Sequence, residues 1–141
     1  MKALRTLIRL HRQAVDEVRR RLAALERRLD QLVRDARLLE VRLAEEQALV
    51  AGNPGLGFGY GPYARRVILE RRRLEEGRLE TEKEIAKVRD QLAEAFAELK
   101  KYEIARDARA RRLMREAERR ERILLDEIAL VAHRRRYAAG V

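Results

Sequence analysis

From residue 4 to residue 43 one set of side chains recurs at alternating spacings of four and three. It runs Leu4, Ile8, His11, Val15, Val18, Leu22, Leu25, Leu29, Leu32, Ala36, Leu39 and Leu43, apolar throughout except for one histidine. On a helix of 3.6 residues per turn this spacing keeps the set on a single narrow face, the seam of a left-handed coiled coil. Such a segment folds only as a long helix with a second helix laid along it. Oppositely charged residues stand one turn apart outside the seam, Asp16 with Arg20, Glu17 with Arg21 and Asp30 with Arg34. Each pair adds only about 0.2–0.5 kcal/mol, so burial of the seam holds the helix. A histidine at a seam position reads as a device for setting register rather than as a ligand.

The partner helix is in the same chain. Five of the seven glycines and both prolines lie between Gly52 and Pro62, a stretch that stops a helix. Gly52 suits the left-handed residue after a helix end, with Pro54 preventing continuation and Pro62 opening the next helix. The expected elements are a helix over about 3–51, a loop at 52–62 and a helix over about 63–137. In the second helix Ile85, Val88, Leu92, Ala95, Leu99 and Tyr102 keep the seam, with Phe96 beside it. Val67 and Leu74 join that seam through Arg71, Arg78 and Thr81, while Arg106, Arg109 and Arg120 fall at or near it further on. These departures read as stutters, and Gly77, costing about 1 kcal/mol against alanine, reads as a close approach or a bend. The fold class expected is all-α: one domain, 1–141, an antiparallel two-helix coiled-coil hairpin whose second helix is the longer. Residue i of the first helix should face about residue 114 − i of the second.

Composition excludes other classes. Of the residues counted as hydrophobic, 46% of the chain, 21 are alanine; aromatics are 4% and charged residues 41%. That is the composition of long helices, without the bulky core of an α/β enzyme. There is no cysteine and no serine, and only two threonines and two histidines, so no nucleophilic or metal-ligating constellation forms. The glycine-rich stretch carries no Gly-Lys-Ser/Thr and so no phosphate-binding loop. No enzyme activity, metal or cofactor is expected. No apolar run approaches the length of a membrane span, and the arginine-interrupted N-terminus is no signal-peptide core, so a soluble intracellular protein is expected.

The net charge is +10 and is unevenly spread. Residues 1–28 carry nine basic and three acidic groups, residues 105–141 eleven and six, and the remainder is nearly neutral. An antiparallel hairpin brings both basic segments to one end and leaves Phe58, Tyr60 and Tyr63 at the other. The second helix outruns the first by about 25 residues, a stretch containing Ile123, Leu124, Leu125, Ile128, Leu130 and Val131. Apolar surface left in water is unfavourable by about 25 cal/mol per Å², so another subunit or another protein should cover it. The alternative readings are a homodimeric scaffold joined through 123–131 and a basic coiled coil with affinity for polyanions. Specific nucleic-acid recognition is not expected: a basic zipper needs a base-reading helix upstream of its leucines, and here only Lys2, Arg5, Arg9 and Arg12 precede them. Lys2, Arg5 and Arg9 with Leu4, Leu7, Ile8 and Leu10 form a basic amphipathic helix, but the same residues also continue the seam.

The opening Met1-Lys2-Ala3-Leu4-Arg5-Thr6-Leu7-Ile8-Arg9-Leu10 and the stretch Glu118-Arg119-Arg120-Glu121-Arg122-Ile123-Leu124-Leu125-Asp126-Glu127-Ile128-Ala129 resemble the FliJ family of flagellar type III export proteins. The likeness covers essentially the whole chain. It implies a stalk, similar in shape to the central γ subunit of rotary ATPases and to the YscO-like stalks of virulence secretion. Such a stalk inserts its terminal helices into the hexameric ring of the flagellar export ATPase and promotes ring assembly and ATP hydrolysis. It also contacts the export gate membrane protein, escorts export chaperones, and works at the cytoplasmic side of the membrane export apparatus. Carried onto this chain, the resemblance implies ring contact through Leu4, Ile8, Ile123, Leu124, Ile128 and Val131. By the same resemblance, gate contact belongs around Tyr60, Tyr63, Val67 and Leu74.

Overall fold

The computed structural model describes residues 2–140. Two α-helices, α1 (Lys2–Gly52) and α2 (Gly57–Ala139), are joined through Asn53 and one 3₁₀ turn at Pro54–Leu56. The chain is an all-α hairpin with the second helix the longer. Its contacts fall into two compact units, Met1–Leu10 with Ala97–Val141, and His11–Phe96.

In the His11–Phe96 unit the helices run antiparallel. Arg71 donates from Nε and Nη2 to the two carboxylate oxygens of Glu40 at 2.7 and 3.0 Å. Arg89 lies 3.8 Å from Glu26, the Arg19 guanidinium sits 4.8 Å from the centre of the Phe96 ring, and Gly77 faces Leu32. In each pair the two residue numbers add to within about five of the 114 that the loop position implies. These cross-helix ion pairs are half exposed and contribute at most about 1 kcal/mol each, so they report the register more than they set it.

The seam sets it. All twelve α1 positions of the four-three repeat are buried or half-buried, and the pattern continues through Glu46 and Val50. On α2 of this unit the matching row is Tyr60, Tyr63, Val67, Glu70, Leu74, Thr81, Ile85, Val88, Leu92 and Ala95. In the other unit Leu4 and Ile8 continue the row on α1, and Leu99, Tyr102 and Arg106 continue it on α2. Val15 (2% exposed), Val67 (4%) and Ile85 (5%) are the deepest apolar positions of the His11–Phe96 unit. Between Leu74 and Ile85 the row shifts phase, with both Gly77 and Arg78 half-buried and Thr81 buried. Thr81 enters the seam because its hydroxyl donates to the Gly77 carbonyl at 2.7 Å, which satisfies the polar group inside the helix. Arg71 does not enter the seam: it stays exposed and reaches sideways to Glu40. Among the exposed charges Asp16 faces Arg19, three residues away, rather than Arg20.

The break between the helices is shorter than the glycines and prolines suggest. Gly52 is the last residue of α1, and no described residue has a positive φ. A left-handed glycine is not needed there because Asn53 closes the helix end. Its backbone N–H donates to the Val50 carbonyl and its side-chain Nδ2 to the Leu49 carbonyl, both at 3.3 Å. α2 then begins at Gly57 instead of Tyr63, which places Pro62 inside it. The physical reason is the seam, which continues upstream through Tyr63 to Tyr60 and rewards helical backbone there.

Arg78 bonds to Glu75 and Glu82 on its own helix, the latter at 2.8 Å. The hydrogen bond from Arg78 holds the Glu75 carboxyl below its ordinary value of 4.5, and the same bond raises Arg78. A depressed carboxylate stabilises the fold above its unfolded pKa and loses that contribution as pH falls through the lowered value. Carbon-detected NMR titration should therefore place the Glu75 midpoint below 4.5, and Arg78→Gln should bring it back up.

A Cβ added at Gly77 would meet the two Leu32 methyl groups at 3.5 and 3.6 Å, ordinary van der Waals contact. Gly77→Ala should therefore stabilise the chain by about 1 kcal/mol in urea unfolding, from helix propensity alone. Ile85→Ala, at a buried seam position, should destabilise it by about 2–4 kcal/mol. A loss of stability in Gly77→Ala would show that the helices approach more closely there than the structure has them.

Candidate partner-binding surfaces

Every residue from Arg109 to Gly140 is exposed, although α2 continues to Ala139. This segment holds its helix with every residue exposed for two reasons. Its alanines, arginines, glutamates and leucines are strong helix formers, and it propagates from a helix already nucleated upstream. Arg136 in the last turn adds a favourable charge at the helix C-terminus.

A similar row goes on along this exposed helix through Leu113, Ala117, Arg120, Leu124, Ile128 and Val131, with a second step of four at Ile128 in place of three. Leu124, Glu127, Ile128, Val131, Ala132 and Arg135 border a shallow groove of about 350 Å³. Ile123, Leu124, Leu125, Ile128, Leu130 and Val131 are each 46–57% exposed, apolar side chains in contact with water. The unit containing this segment is also the basic one. Met1–Leu10 with Ala97–Val141 carries sixteen basic and eight acidic side chains, and His11–Phe96 eighteen and sixteen. An apolar surface set among arginines selects for a partner that is apolar at the contact and acidic around it.

The residues assigned above to ring contact divide. Ile123, Leu124, Ile128 and Val131 are exposed and available. Leu4 and Ile8 belong to the same compact unit, but Leu4 is half-buried and Ile8 only 3% exposed, so Ile8 packs inside that unit. The residues assigned to gate contact divide in the same way. Val67 and Leu74 are 4% and 8% exposed and face α1 across the seam, so neither presents a side chain to a partner while the hairpin is closed. Tyr60 and Tyr63 are half-buried, with ring centres 6.4 Å apart and planes tilted by 40°.

Near the interhelix turn Phe58 faces water, at 97% exposure. Leu38, Val41, Ile68 and Leu69 add exposed apolar surface beyond the turn. A further groove of about 740 Å³ lies in the His11–Phe96 unit, floored by Leu32, Val33, Ala36, Val41 and Leu74 and edged by the Arg71–Glu40 pair. The sequence signal for these positions is an apolar residue standing off the four-three row, as Leu38, Val41 and Ile68 do. Among the described residues no three metal-ligating side chains lie together, and no helix is long and apolar enough to cross a membrane.

Comparison of the chain with protein-family models, with curated proteins and with solved structures finds no match. Because Ile128 is exposed, Ile128→Asp should leave the circular dichroism spectrum and the melting temperature essentially unchanged. A cooperative loss of helix in that variant would show that the segment packs against its own chain.

Proposed function

We propose that this chain is a non-enzymatic stalk and regulator of the flagellar type III export ATPase. It promotes assembly of the hexameric ring and ATP hydrolysis, and links the ring to the export gate and to export chaperones on the cytoplasmic side of the membrane. The observation that supports this reading best is the helical segment from Arg109 to Gly140, folded and exposed on every residue, apolar at 123–131 and basic around it. A helix built in this way is suited to insertion into a partner rather than to packing on its own chain. The likeness of the opening residues and of residues 118–129 to the FliJ family supplies the identity of that partner.

In this reading the exposed positions Ile123, Leu124, Ile128 and Val131 touch the ring, while Leu4 and Ile8 hold the base of the inserted helix. Gate contact near the turn falls to the exposed Phe58 and the half-buried Tyr60 and Tyr63, because Val67 and Leu74 are buried in the seam. Chaperones engage the remaining exposed apolar positions of the hairpin. A homodimeric scaffold uses the same apolar segment, but two copies meeting there bring like charge together, since residues 105–141 carry eleven basic and six acidic groups.

Adding the chain to the flagellar export ATPase of the same organism should raise its ATPase rate and its hexamer fraction. A Leu124→Asp/Ile128→Asp variant, still folded, should do neither. An active ATPase that gains nothing from the unmodified chain would overturn the reading. Sedimentation of the free chain as a stable dimer would favour the scaffold.

A further inference from the structure

In a chain of which 41% is charged, the residues from Gln47 to Ala64 carry no charge at all, and no carboxylate occurs between Glu46 and Glu70. They make up the turn end of the His11–Phe96 unit: the last residues of α1, the 3₁₀ turn and the first residues of α2. Phe58 stands out from this end at 97% exposure, Leu49 is 52% exposed, and Tyr60 and Tyr63 are half-buried beside each other. An aromatic ring held in water is unfavourable in proportion to its area. The glycines of this end are not explained by the fold. None of Gly52, Gly55, Gly57, Gly59 and Gly61 has a positive φ, and a Cβ added at any of them meets nothing within 4 Å. Alanine would hold the start of α2 better. What the glycines provide is bare backbone around the projecting ring, which lets the end of the hairpin come close to a surface.

The charges that follow on α2 are Arg65 and Arg66, about 10–12 Å along the helix from Phe58, with Tyr63 between them at about 7.5 Å. Apolar ring foremost, tyrosines next and arginines behind is the layering of a bilayer interface: acyl boundary, headgroups, phosphates. Residues 42–46 and 65–73 together carry six basic and three acidic groups, the latter Glu45, Glu46 and Glu70, so the collar favours an anionic surface. A protein pocket orients its ligand through a few placed polar groups, and this end has no charge to be oriented by; a fluid lipid surface needs none.

We propose that the turn end of the hairpin enters the headgroup layer of an anionic bilayer, with Phe58 at the acyl boundary and Arg65 and Arg66 on lipid phosphates. Insertion stops at that depth because helix ends leave backbone groups that need water or headgroup oxygens. The inference goes beyond the gate contact proposed above, since it assigns Phe58 to lipid rather than to protein, and it does not need the stalk reading.

The chain has no tryptophan, so Phe58→Trp and Leu130→Trp each create a single reporter, one at the turn end and one on the exposed basic segment. Mixed phosphatidylcholine–phosphatidylglycerol vesicles at physiological ionic strength should shift the Phe58→Trp emission to the blue, and lipids brominated on the acyl chain should quench it. The Leu130→Trp emission should stay unchanged. Phe58→Ser should lower co-flotation of the full chain with these vesicles by about tenfold, and Arg65→Gln/Arg66→Gln should weaken it and flatten its salt dependence. Vesicle binding that shifts Leu130→Trp and not Phe58→Trp would give the contact to the arginine-rich segment and overturn the proposal. Equal co-flotation of Phe58→Ser and the unmodified chain, or no co-flotation at physiological salt, would overturn it too. A blue shift of Phe58→Trp that needs the cytoplasmic domain of the export gate, or a higher protein concentration, and not vesicles, would assign this end to a protein pocket or a second copy instead. ATPase stimulation is read without lipid, so neither result decides the other.

Discussion

Burial of the four-three seam between α1 and α2 is the interaction on which the rest of the molecule depends. No residue of this chain makes a disulfide, and the ion pairs are exposed and weak. What remains is apolar side chains such as Val15, Val67 and Ile85 closing against the facing helix. That row places Tyr60 and Tyr63 in a helix despite the surrounding glycines, and it draws Thr81 inward once its hydroxyl is satisfied by the Gly77 carbonyl. The same row consumes Val67, Leu74 and Ile8, which therefore have no surface left to offer a partner.

Function in such a molecule comes from apolar positions that the seam leaves uncovered. The seam hides a narrow stripe, and every other large apolar side chain needs a separate explanation. Two regions stand out on that criterion. Around the turn, Phe58 is almost wholly in water and Leu38, Val41, Ile68 and Leu69 are exposed beyond it. From Arg109 onward the helix is exposed throughout, and its apolar run at 123–131 lies among arginines. The two regions differ in charge: the unit that holds that run carries most of the net positive charge, so they suit partners of different chemistry.

Much of the fold is legible in the sequence because one periodic signal carries it. Each α1 seam residue, from Leu4 to Leu43, follows from spacing alone, and the position of the glycine-rich stretch fixes the antiparallel register to within about five residues, as the observed facing of Leu32 with Gly77 and of Glu40 with Arg71 shows. The helix boundaries are less legible. Rules for glycine and proline are local, and here Asn53 caps α1 without a left-handed glycine while the upstream seam extends α2 across Pro62. For the candidate sites, the apolar run at 123–131 is visible in the sequence, and its exposure follows from register. The resemblance assigns gate contact to a region near the turn, whereas accessibility there depends on phase around the helix. That difference separates buried Val67 from exposed Ile68.

The helix beyond Arg109 is folded but uncovered, and the proposed stalk function requires the export ATPase to cover it. Residue-resolved amide hydrogen exchange tests this most directly. In the free chain, amides of the seam-paired residues 11–96 should exchange slowly and those of 109–140 quickly, although both are helical. Addition of the hexameric ATPase should slow 109–140 selectively. Protection of 109–140 in the free chain equal to that of the seam, or no slowing when the ATPase is added, would contradict the account.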